Sequence, residues 1–312
     1  MRALHIPAAG EPARLGHLPK PHVTPGTVLV RVHAASLNGI DNGTTTGTLA
    51  RFVPHEYPVV IGRDGAGVVE SVGAGVDHVR PGDEVFGHIQ VVPPIHHGTL
   101  AEHALFPAVG VVGKPAALDF AEAAALPLAG TAALEAVEHI AAEPGRTVLV
   151  NGASGGVGSF VLQLLASRGA TVLATGAADD TGRLTGLGAR EVVDRAHVLE
   201  TVRATHPDGV DALINLSGHT VGETPLAAVR RGGVVATTTG APDRDAASEV
   251  GVTHHMVVAE PSRDVLARLA EMAVTGALKV DIGAVLPLER AWEGLEVLAS
   301  GRSRGKIVIT LD

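Results

Sequence analysis

From Thr147 to about Val258, short apolar runs recur at regular intervals and alternate with segments whose apolar residues stand three and four apart. The runs predict strands at Thr147–Asn151, Thr171–Thr175, Glu191–Asp194, Asp211–Asn215 and Gly233–Thr237. Between the first two, Val157, Phe160, Val161, Leu164 and Leu165 fall on one helical stripe, and Gly169 marks the helix stop. Strand–helix alternation with turns this short predicts a parallel, doubly wound sheet. The first 120 or so residues pattern differently. Thr27–Leu37 and Gly65–Val76 read as strands, and "RPGDEVFG" (Arg80–Gly87) reads as a turn entering another. Closely spaced strands with such turns predict an irregular β-barrel or sandwich. Near the end, "VLARLAEMAVTGALK" and "AWEGLEVLASG" read as helices and "GKIVITL" as a strand. The expected architecture is α/β. A discontinuous first domain, residues 1–121 and 280–312, carries a nucleotide-binding domain, residues 122–279, inserted in it.

Composition narrows the chemistry. The 312 residues are 18% charged and 46% apolar, a globular balance. A net charge of −9, with no cluster of Lys or Arg, argues against a nucleic-acid partner. The absence of cysteine excludes disulfides, thiol catalysis and cysteine-ligated zinc. The segment "MRALHIPAAG" lacks a signal-peptide core and no run is long enough for a bilayer, so a cytoplasmic protein without a membrane partner is expected.

The stretch "VLVNGASGGVGSF" (Val148–Phe160) joins a predicted strand to a predicted helix, the context of a dinucleotide loop. Two patterns overlay it. Ala153-x-Gly155-x-x-Gly158 is a variant of the dinucleotide fingerprint, while Gly152-x-x-x-Gly156-x-Gly158 mimics the loop of short-chain dehydrogenases. Those enzymes place the loop near the chain start and need a Tyr-x-x-x-Lys pair downstream. Here the only tyrosine, Tyr57, lies upstream with Ile61 four places on. The first pattern stands.

The segments "GRDGAGVVESVGAGVDHVRPGDEVFG", "GTLAEH", "EAAALPLAGTAALEAV", "PGRTVLVNGASGGVGSFVLQLLASRGATVLATG" and "GRSRGKIVI" together resemble the medium-chain dehydrogenase/reductase superfamily. The nearest resemblance is to its zinc-free quinone oxidoreductases and enoyl reductases. It implies a GroES-like β-barrel domain, a Rossmann domain, a cofactor cleft between them and a homodimer. Zinc alcohol dehydrogenases carry Gly-His-Glu where this chain has Gly62-Arg63-Asp64, and a cysteine where it has Asn38. No metal is expected. The implied reaction is NAD(P)H-dependent reduction of a quinone or α,β-unsaturated carbonyl (enone). The resemblance puts Asn38 and Thr131 beside the nicotinamide and Ala153, Ser154, Gly155, Gly156, Val157 and Gly158 at the pyrophosphate. It puts Leu216, Ser217, Gly218, Thr239 and Gly240 in loops at the ends of later strands. Candidate proton donors are Asp41, whose alternative is bonding local amides, and His97 in "VVPPIHHGTL", whose alternative is a solvated loop residue. His254-His255 reads as structural, two ligands being too few for a metal.

The pattern breaks in "ATGAADDTGR". NADPH-using relatives commonly have a Ser and a Lys or Arg where this chain has Ala177 and Asp179, and Thr175 stands at the strand end. Carboxylates there disfavour a 2′-phosphate, whereas Arg183 or Arg195 could supply the missing cation. Alternatively Asp179 and Asp180 start a helix and point at water. Family resemblance favours NADPH and local charge favours NADH; NADPH is the expectation, with NADH open. Two other functions fit the same residues. One is a nucleotide-binding scaffold or regulatory relative with little turnover, the other a tailoring reductase for a larger natural product.

Overall fold

A computed structural model describes residues 1–218, 223–239 and 244–311, the side chain of Arg244 excepted. The chain divides into two compact units, Met1–Thr131 with Glu260–Asp312, and Ala132–Ala259. The inserted unit therefore starts later and ends earlier than the periodicity predicts. The reason is packing: helix Phe120–Ala125 lies on strands Thr27–Leu37 and Asp64–Val72, and helix Arg263–Val274 lies against Val111–Gly113. Both helices have the texture of the inserted domain but bury their apolar faces on the barrel.

Among the described residues, the sheet of the inserted unit has six strands. Their spatial order is Glu191–Val193, Thr171–Thr175, Thr147–Asn151, Val210–Asn215, Val229–Thr237 and Thr253–Met256. Every adjacent pair is parallel. Chain order reverses beside Thr147–Asn151, which is where open α/β sheets bind ligands. Val148, Leu149 and Val150 are each 0% exposed, as expected of a parallel strand covered on both faces. The sixth strand, sequence THHM, has no apolar signal and owes its conformation to pairing with Val234–Thr237. The fifth strand extends four residues before Gly233, through Arg230 and Arg231, which break the apolar pattern. Helix Gly156–Ser167 buries Phe160, Val161, Leu164 and Leu165 as the stripe predicts. Off-stripe Leu162 is buried as well, and Val157 in the first turn is only half-buried.

In the other unit, strand Thr27–Leu37 is the hub, pairing antiparallel with Asp64–Val72, His103–Pro107 and Lys306–Thr310. The register sets Asp64 opposite Ser36 and Ile307 opposite Leu37. Lys306, one residue before Ile307, is thereby brought beside Asn38. Two apolar strand ends thus carry polar residues into a closed interior, and the sheet pairing decides which of them meet.

Candidate active site

The glycine loop of the inserted unit has the shape its fingerprint requires. Gly152 turns the chain at φ +85°, and Gly155 is the residue preceding helix Gly156–Ser167. A Cβ on Gly158 would lie 2.4 Å from the Ala153 carbonyl oxygen, so only glycine lets the helix start this close to the strand end. A Cβ on Gly155 would meet nothing nearer than the Gly152 oxygen at 3.7 Å. Gly155 therefore leaves room for a ligand rather than for the protein's own packing. The first amides of the helix have no intrahelical acceptor and carry the positive end of its dipole, which suits a pyrophosphate.

Behind this loop runs a buried polar chain that sequence reading missed. The Thr175 hydroxyl accepts from the Gly152 amide at 2.9 Å and donates to Asn151 Oδ1 at 3.2 Å. Asn151 Nδ2 donates to Asn215 Oδ1 at 2.7 Å, and Asn215 Nδ2 reaches Thr224 at 3.1 Å and Thr239 at 3.4 Å. Thr175, Asn151 and Asn215 are 4%, 4% and 1% exposed. The chain links four strand ends and fixes the loops that follow: Leu216 N donates to the Asn151 carbonyl at 2.8 Å, the Ser217 carbonyl faces Asn151 Nδ2 at 3.5 Å, and Gly218 has φ +95°. The signal was an amide ending each of two apolar runs, in "VLVN" and "ALIN". Gly240 lies outside the described residues.

The loop after the second strand corrects one expectation. Asp180 does not point at water: it is 2% exposed and holds Arg183 Nε and Nη2 at 2.8 Å each. Arg183 Nη2 also donates to the Ser154 carbonyl at 2.9 Å, bracing the glycine loop. Ala177, Asp179 and Arg195 are exposed.

In the barrel unit, Asn38, Asp41, Arg63, Asp64 and Lys306 form a buried charged cluster. Asp64 Oδ2 accepts from Ser36 Oγ and Asn38 Nδ2 at 2.8 Å each and lies 3.4 Å from Lys306 Nζ. Asp64 Oδ1 accepts from Leu128 N, in the first turn of helix Pro127–His139, at 2.9 Å. Lys306 Nζ donates to Asn38 Oδ1 at 2.7 Å and to the Leu37 carbonyl at 3.0 Å. Asp41 Oδ2 accepts from Asn38 N at 2.8 Å, while its Oδ1 has no partner. Arg63 Nη1 holds the His97 carbonyl at 3.0 Å, and its Nε and Nη2 have none. Desolvation pushes the Asp41 carboxyl up to about 6, against the pull of Arg63. Burial likewise lowers the pKa of Lys306, opposed by Asp64 and Asp41.

Two regions match known domain families: residues 24–116 match the alcohol dehydrogenase GroES-like domain and 187–309 the zinc-binding dehydrogenase domain. The chain is 33% identical to the 2-methylene-furan-3-one reductase of Solanum lycopersicum, covering 93% of this chain and 73% of that protein. It is 30% identical to the chloroplastic quinone-oxidoreductase QR1 of Triphysaria versicolor, covering 99% and 98%. The solved quinone oxidoreductase of Coxiella burnetii superposes with a TM-score of 0.89 at 27% identity, covering 100% of this chain and 99% of that one. The chain belongs to the medium-chain dehydrogenase/reductase superfamily, among its quinone oxidoreductases.

Asn38, Arg63 and Asp64, which the resemblance aligns with a cysteine, a histidine and a glutamate of zinc dehydrogenases, share the barrel cluster with the Lys306 ammonium. Thr131 sits on helix Pro127–His139, 5% exposed with its Oγ1 unpartnered. His97 is exposed, and desolvation followed by His96 and Arg63 lowers its pKa, which disfavours the imidazolium a proton donor needs. His96 Nδ1 contacts the Glu56 carbonyl at 2.9 Å. His255 stacks on His139 at 4.6 Å, and Glu135, 3.4 Å from His139, accepts from the Val258 and Ala259 amides. The second histidine of the His254-His255 pair is thus engaged in packing. Among the described residues, no helix is long and apolar enough to cross a membrane.

Asp41 yields a prediction about stability. Its folded pKa lies above its ordinary value of 3.8. The stability linked to it is therefore full below the unfolded value and lost as pH rises through about 6. Relative to Asp41→Asn, wild type should lose about 3 kcal/mol across this window, at 1.36 kcal/mol per unit. Urea unfolding of both proteins from pH 4 to 7 measures it; parallel curves would contradict it.

Proposed function

We propose that the protein reduces a quinone or an α,β-unsaturated carbonyl compound with NADH or NADPH, without zinc. The observation that carries the reading is the charge of the barrel cluster: a buried guanidinium and a buried ammonium stand among Asn38 and Asp64. Asp64 and Asp41 are already matched by Lys306 and Arg63, and no cysteine or histidine stands at those positions to hold a metal ion. An acceptor activated by conjugation needs no Lewis acid of that strength, because the charge arriving at carbon spreads onto its oxygen. The bound reduced nicotinamide supplies the hydride. The chain's own part is to bind the dinucleotide on the amides after Gly155, to orient the acceptor and to meet the oxygen that becomes charged. Asn38 is the side chain proposed to touch that oxygen, and the orphan Thr131 hydroxyl suits the nicotinamide carboxamide. Asp41 is shut off from solvent and bonded to the Asn38 amide, so water is the proposed source of the proton.

At the adenosine end, local charge argues for NADH against the NADPH expected from family resemblance. Arg183 is engaged by Asp180, and Asp179 adds an exposed carboxylate where a 2′-phosphate would need a cation. Asp179→Ser should improve NADPH affinity relative to NADH by about fivefold, the worth of roughly 1 kcal/mol. Titration by nucleotide fluorescence checks it; an unchanged ratio means Asp179 does not face the ribose. The reading includes a homodimer paired along the edge strand Thr253–Met256, where Met256 and Val258 are 43% and 62% exposed. Light scattering tests this, a monomer mass counting against it.

The reaction is tested by nicotinamide absorbance decay with a panel of quinones and enones. Turnover with either class is expected. Tight cofactor binding with no turnover above background would instead make the protein a scaffold or regulator.

A further inference from the structure

Within the barrel cluster, Asn38 is the side chain most exposed to solvent. Ser36, Asp41 and Asp64 are each 0% exposed and Arg63 and Lys306 2%, while Asn38 keeps 8%. Lys306 donates to the Leu37 carbonyl, to Asn38 Oδ1 and toward Asp64, and of these acceptors only Asn38 belongs to a side chain with appreciable exposure. The Asn38 carboxamide is pinned by two strong, charge-assisted bonds, from Lys306 at 2.7 Å and to Asp64 at 2.8 Å. Its remaining N–H has only a 3.4 Å contact with the Ser36 carbonyl, too long for a good amide bond. A cation on the amide oxygen draws density from the amide nitrogen, and in a desolvated site that makes the N–H a stronger donor.

We propose that Lys306 is a positioning residue for the reduction, fixing and polarising the Asn38 carboxamide so that its remaining N–H binds the carbonyl or quinone oxygen of the acceptor. The inference rests on the reductase reading above and assigns the partner of that site: a neutral oxygen that becomes anionic. Two electrons arrive with the hydride at carbon, the conjugated double bond is lost, and the charge collects on the oxygen held by Asn38. A proton from water then completes the saturated carbonyl or hydroquinone, leaving the nicotinamide oxidised. Lys306 touches neither substrate nor cofactor. The charged groups facing it are Asp64 and Asp41, with Arg63 beside Asp41.

The test uses p-dimethylaminocinnamaldehyde, whose absorbance band moves to the red as its carbonyl oxygen gains a hydrogen bond. Wild type and Lys306→Arg should both produce the red shift, and Lys306→Met should abolish it. With an enone as substrate and saturating nicotinamide, Lys306→Met should lower kcat about a hundredfold with a smaller change in KM. In wild type, kcat and the band shift should fade together as alkaline pH removes the Lys306 proton, below the ordinary lysine range. In Lys306→Arg both should persist. A pH-independent band shift and kcat in wild type would overturn the proposal without any variant. A folded Lys306→Met protein that keeps both would overturn it as well. A protein without turnover but with a Lys306-dependent band shift would overturn the reductase reading and with it the role in reduction, leaving only the carbonyl-binding Asn38–Lys306 pair.

Discussion

Asp64→Asn is expected to be the most destabilising single polar change in the protein, by about 3–5 kcal/mol. Asp64 accepts from Leu128 N, Ser36 Oγ and Asn38 Nδ2 and neutralises Lys306. An amide cannot serve three donors and a cation, and one of its own two ends would face donors. The ammonium would remain buried at 2% exposure with no counter-charge in contact. Removing both charges is expected to be milder than removing one, so Asp64→Asn with Lys306→Met should recover part of the loss. Thermal unfolding of the three proteins decides the point. A single variant within about 1 kcal/mol of wild type would show that the pair is solvated in solution.

The second large effect is expected at Gly158. Gly158→Ala places a methyl carbon 2.4 Å from the Ala153 carbonyl oxygen, a collision with backbone that no rotamer relieves. The start of helix Gly156–Ser167 must move away from the strand end, at about 1–3 kcal/mol of overpacking strain. Its amides move with it, and a displacement near 1 Å from productive geometry costs about a hundredfold. Dinucleotide affinity should fall by about that factor together with stability. Gly155→Ala is the control, since its Cβ meets only the Gly152 oxygen at 3.7 Å. It should leave the unfolding temperature unchanged and still weaken binding, because the open space at Gly155 serves the ligand. Unchanged dinucleotide affinity in Gly155→Ala would mean the open space at Gly155 has no role in binding.

The strands of the inserted unit were legible because parallel strands covered on both faces must be apolar, as Val148–Val150 and Leu213–Ile214 are. Strand Thr253–Met256 was not, since an edge strand of polar residues forms only when a neighbour offers its backbone. The glycine loop was legible through spacing, and the structure supplies the reason for Gly152, Gly155 and Gly158. The barrel cluster was the hard part. Asn38, Asp64 and Lys306 are separated by 26 and 242 residues, and only the sheet register brings them together. Lys306 stood in a recognisable segment, "GRSRGKIVI", yet a lone lysine before an apolar strand ordinarily points at water. Arg183, which in sequence is a cation available to a 2′-phosphate, is held in the structure by a carboxylate three residues earlier.

The proposed reaction is reduction of a conjugated acceptor at a site built on Asn38 and Lys306, without a metal. Product analysis of an enone reaction, run by mass spectrometry on protein dialysed against a chelator, tests it most directly. The prediction is the saturated ketone, formed at the same rate before and after chelation. An allylic alcohol as the product, or a rate that vanishes on chelation and returns with added zinc, would contradict it.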